Sequence, residues 1–433
     1  MPTGAWRRRG RNAVIALVAL YAVLEAGAWL GFLLLDGRPF SFERIASERA
    51  GALVEPALPD PFLRVAPQRS GPFVEVIHPY LGFVLDLCAS DRSVERSAPM
   101  LRIEECDLDR PRRSPDTLLV GLFGGSAAFA FSEEGAATLA RALEGCATFA
   151  GRRVTFVVAA AYGWRQPQQV MALTWLVALG GELDLLIDLD GLEGVLRAGV
   201  DDGGPESFPS YPRRWPERVG RPADPATRFV LGRWSIATGD RVDWAKAMDA
   251  GPTHWSIAAN LLWRGRDRGL QRDVEEVTRE LIEAPSTGES YVMRGPPYDA
   301  SDPSRTLDDL VAVWKRSCRL MDEICRSRAI RCFHFLQPNP FVESSKPLSP
   351  EERETCRRAG SDVEAAVVAG WPKLQAAGRE LAATGEVFVD LTMVFAGVDR
   401  TLYVDADGRL DRDGNDLLAT RIAESIEREL GAR

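Results

Sequence analysis

The apolar positions of this chain fall into three regimes. From Ala13 to Leu35 they run on with a single charge, Glu25, which is long enough for a helix that crosses a bilayer. Arg7, Arg8, Arg9 and Arg11 stand before the run, and a basic flank of this kind stays on the cytoplasmic side. The pattern predicts a cytoplasmic tail at 1–12 and an uncleaved single-pass anchor at 13–35 in the inner (cytoplasmic) membrane. The remaining chain is then extracytoplasmic. The competing reading is a cleaved signal peptide with Ala26-Gly27-Ala28 as its small-residue site, but the apolar run continues past that site to Leu35. Glu25 at membrane depth calls for a partner helix or a headgroup.

The second regime, 36–115, has few long periodic stretches. Pro56, Pro59, Pro61, Pro67 and Pro72 mark an extended connector, because proline fixes φ and stops helices. The phrase His78-Pro79-Tyr80-Leu81-Gly82-Phe83 leads into a strand, with its histidine in a structural place.

The third regime begins at Thr117, where short apolar runs alternate with helical spacing. Strands are predicted at Thr117–Phe123, Val154–Ala159, Leu183–Leu189, Ile330–Leu336 and Val387–Asp390. Helices are predicted at Glu134–Glu144, Gln166–Leu179, Thr306–Ser327, Pro350–Thr384 with a break near Pro372, and Asn415–Leu430. Buried strands alternating with helices make a doubly wound parallel sheet, with its ligand site at the carboxyl ends of the strands. The domain is predicted in two halves, 116–200 and 306–433, separated by a largely helical insertion at 201–305. The insertion carries Trp215, Trp234, Trp244, Trp255 and Trp263. It follows a strand's carboxyl end, where it can act as a lid. Its aromatics suit a sugar ring or an acyl chain, or plain core packing.

The centre of this regime is Leu118–Phe131, LLVGLFGGSAAFAF. A buried strand ends in Gly124-Gly125-Ser126 and presents one serine at a helix start, where free N–H groups favour an anion. Composition narrows the chemistry around it. The net charge of -9 argues against nucleic acid, which needs clustered cations. Only His78, His254 and His334 are available as imidazole bases, and His334 falls inside a predicted strand, as a core residue does. None of the seven cysteines forms a CxxC pair, so neither a zinc site nor a cofactor is expected. Cys88 and Cys106 form a candidate disulfide in an exported chain, against the plainer reading of buried free thiols.

Taken in order, these segments resemble the SGNH (GDSL-like) hydrolases in their membrane-anchored bacterial form, which implies flavodoxin-like layering. Gly124-Gly125-Ser126 resembles the first block, with Ser126 in the nucleophile position. Ala160-Ala161-Tyr162-Gly163 resembles the second, with Gly163 in the oxyanion position. Asp188-Leu189-Asp190-Gly191-Leu192-Glu193 resembles the third, and Leu336-Gln337-Pro338 ends a strand as such proteins do. Tyr403–Ala419 resembles the last block.

Two positions depart from the pattern that the resemblance implies. Glu193 stands in place of the asparagine donor, and an ionised carboxylate only accepts hydrogen bonds. Arg409 stands in place of the histidine base, and arginine keeps its proton. Asp405 and Asp407 are acids of ordinary kind, mismatched to a base's task. The resemblance then implies a catalytically degenerate, anchored protein (a pseudoenzyme) that handles envelope polysaccharide or acyl esters. Its partners would be the membrane, a carbohydrate or acyl-ester ligand and envelope assembly proteins. The alternative is an active serine esterase or carbohydrate O-acetyltransferase that uses Ser126 with a base relocated to His78, His254 or a carboxylate.

Overall fold

The computed structural model describes residues 4–53, 69–70, 73–86, 98–103, 111–196, 208–213, 215–219, 225–249, 251–283, 291, 295–356, 362–405 and 408–431. Cys88, Cys106 and Asp407 lie outside them. The chain divides into two compact units, Met1–Arg64 with Pro222–Gly288, and Val65–Arg221 with Glu289–Arg433.

The first unit is helical. Its N-terminal helix spans Gly4–Asp36, and Gly10–Asp36 is long and apolar enough to cross a membrane. Two long helices of the predicted insertion, Pro225–Asp249 and Ile257–Glu283, belong to this unit. A helix at Phe42–Leu53 replaces part of the extended connector expected there. Its inward stripe is Ile45, Arg49 and Ala52, a helical spacing that an arginine disguises. Phe32, Ile45, Ala245 and Trp263 meet in the core. Arg49 is buried in the same unit, where it donates to Asp249 and Asn260. Glu25 accepts from Ser256 Oγ at 2.5 Å and from the Ile257 N–H at 2.6 Å.

The second unit is mixed α/β. A three-stranded antiparallel sheet joins β1 (Arg69–Ser70), β2 (Phe73–His78) and β3 (Gly82–Leu85). The His78–Phe83 phrase is thus the turn of a hairpin, in which His78 pairs with Gly82. The main sheet holds β4 (Met100–Arg102), β5 (Thr117–Gly124), β6 (Arg153–Ala160), β7 (Leu185–Asp190), β8 (Arg331–Leu336) and β9 (Phe388–Asp390). All its pairings are parallel and its order is β4-β6-β5-β7-β8-β9. The edge strand β4 falls inside the predicted connector, its three residues too short to show a period.

From β5 the chain steps to β6 on one side, then returns past β5 to β7 on the other. The order therefore reverses at the carboxyl end of β5, which is where open α/β sheets form their crevice. The helices Ser126–Glu134, Ala136–Gly145 and Arg412–Gly431 pack on one another. Gln168–Ala178, Pro303–Ser327 and Asp362–Thr384 make a second group. The predicted helix Pro350–Thr384 is two helices, Pro350–Thr355 and Asp362–Thr384, and Pro372 lies inside the second rather than at a break. Cys146, Cys318, Cys325, Cys332 and Cys356 are buried free thiols.

Candidate functional site

The strand β5 is buried at seven of its eight positions and sits between β6 and β7 over most of its length. It ends at Gly124, whose φ of +148° belongs to glycine's range. A Cβ there would overlap the Leu189 carbonyl of β7. Gly125 follows as the residue before the helix, and Ser126 is the helix's first residue. Gly125 has no side chain to cap the helix, so the first N–H groups need another acceptor.

Glu193 supplies it. The carboxylate accepts the Ser126 N–H at Oε1, 2.8 Å away, and the Ser126 hydroxyl at the same oxygen. It lies flat on Gly125, where a Cβ would come within 2.6 Å of its Cδ. Both residues are only 4% exposed. The helix N-terminus, which favours an anion, is thus filled by an anion of the chain's own.

Asp190 and Asp188 continue from Glu193 into the sheet. Burial first, then the charges of Asp188 and Glu193, pushes the Asp190 carboxyl well above the usual carboxylate range. Asp188 is paired across the β7–β8 register with His334, and Nδ1 of the imidazole lies 3.0 Å from Asp188 Oδ2. The other ring nitrogen, Nε2, is 3.5 Å from Cys332 Sγ. Asp188, Cys318 and His334 offer three ligand atoms within 4.8 Å of one another. Their types suit zinc, but both imidazole nitrogens are already engaged by protein, so a metal would have to displace one of these contacts.

The other site residues converge from the far side of β5. Gly163 has φ +73°, and a Cβ on it would overlap the Arg213 guanidinium. The Tyr162 ring packs on Phe129 of the Ser126 helix at 4.6 Å. Arg409 lies over Tyr162 at 5.6 Å and reaches its hydroxyl at 3.4 Å. Asp405 accepts the Arg409 N–H at 3.0 Å and also takes its guanidinium. Burial alone would lower the arginine's pKa, but the Asp405 hydrogen bond and charge outweigh it and hold it above the ordinary value. Arg409 lines a cavity of about 10 Å³ with Ala127, Ala130, Pro338 and Gly408, room for about one water. The start of the Ser126 helix, the end of β8 and the segment before the C-terminal helix therefore meet in one place.

Two of the three histidines are tied elsewhere. His78 Nδ1 accepts the N–H groups of Tyr80 at 3.2 Å and Leu81 at 3.1 Å, and burial lowers its pKa. His254 Nδ1 lies 2.6 Å from the Gly251 carbonyl, in the helical unit. His334 is 1% exposed within β8, in the core position expected of it. What sequence reasoning missed is its pairing with Asp188. The signal was there: two acids alternate on one face of an otherwise apolar strand, Asp188 and Asp190. A larger cavity of about 400 Å³ lies at the amino ends of the strands, beside Arg112, Arg113 and Arg328. There the Arg113 guanidinium serves as a staple on the carbonyls of Leu183, Arg328 and Ala329. No protein-family model and no curated protein matches the chain.

Proposed function

We propose that this chain is an SGNH-hydrolase-like protein anchored by its N-terminal helix, with its α/β unit on the extracytoplasmic side of the inner membrane. Its serine site is catalytically silent, and it serves envelope polysaccharide or acyl-ester handling by binding. One observation carries the reading: the Ser126 N–H and hydroxyl are both given to the Glu193 carboxylate. An acyl-transfer serine needs that N–H for the developing oxyanion, and loss of one such donor costs about 100- to 1000-fold in rate. A carboxylate in its place adds repulsion. Arg409, bound to Asp405, cannot take the serine proton. The Arg7–Arg11 cluster supports the orientation.

The Ser126–Glu193 hydrogen bond also favours one alternative, an esterase with Glu193 as its base. The same oxygen, however, holds the N–H that the oxyanion would require. Incubating the full chain in detergent with a fluorophosphonate probe separates the two. The silent site leaves wild type and Ser126→Ala equally unlabelled. Labelling of wild type that disappears in Ser126→Ala would establish the esterase instead.

A further inference from the structure

The N-terminal helix and the helix Ile257–Glu283 run side by side in one direction and in fixed register. Glu25 meets Ile257, and Asp36 meets Arg268, the same offset of 232 residues in both contacts. Between them, a Cβ on Gly31 would lie 2.8 Å from Leu261. Depth along one helix therefore reads depth along the other.

At 1.5 Å per residue, Glu25 stands about 21 Å beyond Arg11. A hydrocarbon core is about 30 Å thick. With Arg11 at one boundary, Glu25 is still about 9 Å inside the other, which falls near Gly31 and hence near Trp263. The residues of the second helix below that level, with the two before it, read Trp255-Ser256-Ile257-Ala258-Ala259-Asn260-Leu261-Leu262-Trp263. No charge occurs among them, and Arg264, Arg266 and Arg268 follow at once. The polar members are turned inward. Asn260 is fully buried, bound to Arg49 and to the carbonyls of His254 and Ser256, and Ser256 is spent on Glu25. Asp249, on the neighbouring helix, is paired with the buried Arg49 at 2.9 Å, its own side chain 47% exposed. Of the apolar members, Trp263 is buried and Ile257, Ala259 and Leu261 pack against the unit's core, while Trp255 and Leu262 are turned outward, 68% and 74% exposed.

We propose that Trp255–Trp263 is a second membrane-embedded element, a half-helix held in the bilayer beside the anchor, with Trp255 and Leu262 against acyl chains. The occupant of this face is the lipid bilayer, because the face continues the surface of the anchoring helix at the same depth. Glu25 is then the capping acceptor of a helix that starts inside the membrane, where an unmet N–H costs several kcal/mol. The inference rests on the anchor reading given above.

The test places a photoactivatable benzoylphenylalanine at Leu20, Trp255, Leu262 or Ile282 of the full chain in phosphatidylethanolamine–phosphatidylglycerol vesicles. All four side chains are exposed. Ile282 lies about 28 Å above the boundary by the same register. Lipid adducts at Leu20, Trp255 and Leu262, with none at Ile282, are the expected result. Adducts at Leu20 alone would overturn the half-helix and leave the anchor intact. No adduct at Leu20 would overturn the anchor and the proposal with it, and equal adducts at Ile282 would show the contacts to be indiscriminate and overturn it too.

Discussion

Replacing Glu193 by alanine removes the acceptor for two buried donors and leaves the start of the Ser126 helix uncapped. Hydrogen bonds to a charged group contribute about 1.5–3 kcal/mol each. A negative charge at a partly buried helix N-terminus adds up to about 2 kcal/mol. Against these stands the relief of Asp190, whose raised pKa is owed in part to Glu193. Before that relief the loss for Glu193→Ala is about 3–8 kcal/mol, and the relief moves it towards the lower end. Glu193→Gln keeps one carbonyl acceptor and loses the charge, so about 1–2 kcal/mol should go. Urea unfolding of the full chain in detergent measures the loss. Hydrogen exchange at the Ser126 amide reads the same bond locally, and its protection should fall in both variants. A loss below about 1 kcal/mol in Glu193→Ala, with Ser126 still protected, would refute the claim that Glu193 caps the helix.

Two further outcomes test the buried charges. Asp190 has a folded pKa well above 3.8, so between its unfolded and folded values the native state holds a proton that the unfolded chain lacks. Stability then falls as pH rises through that window. Asp190→Asn removes the slope, so the variant's stability relative to wild type should grow from pH 4 towards neutrality, and parallel curves would count against it. Lys346 and Glu352 form an ion pair at 2.7 Å with both side chains fully buried. Glu352 Oε1 also holds the N–H groups of Leu402 and Tyr403. Burial by itself would raise the Glu352 pKa, but these partners lower it. Lys346→Met should cost about 3–5 kcal/mol at neutral pH. The gap from wild type should narrow as pH falls below about 4.5, where the carboxylate takes up its proton.

The parallel sheet was legible because β5, β7 and β8 are largely apolar runs bounded by turn residues, the usual pattern of strands covered on both faces. The helix Phe42–Leu53 was hidden by its own chemistry, since one of its three inward positions is an arginine that finds Asp249 and Asn260 only in the folded chain. Strand β4 was hidden by length and, among the described residues, pairs with β6. Ser126, Glu193, Asp405 and Arg409 were singled out by position along the chain. Their pairings were not, because a pairing between residues 67 apart, as for Ser126 and Glu193, is set by the β5–β7 register. His334 shows the same limit: its place in a strand was readable, while its bond to Asp188 depends on which strand lies beside it.

Two charged side chains share one logic. A buried carboxylate is tolerable only if something donates to it, and Glu193 takes the Ser126 N–H and hydroxyl. A half-buried guanidinium calls for a counter-charge, and Arg409 takes Asp405, the acid four residues before it. The two pairs are separate, so changing one charge leaves the other pair in place. Glu193→Asn would free the Ser126 amide yet leave Arg409 on Asp405. Arg409→His would free Asp405 yet leave the amide plugged. On the function proposed above, acyl transfer at Ser126 would need both changes at once.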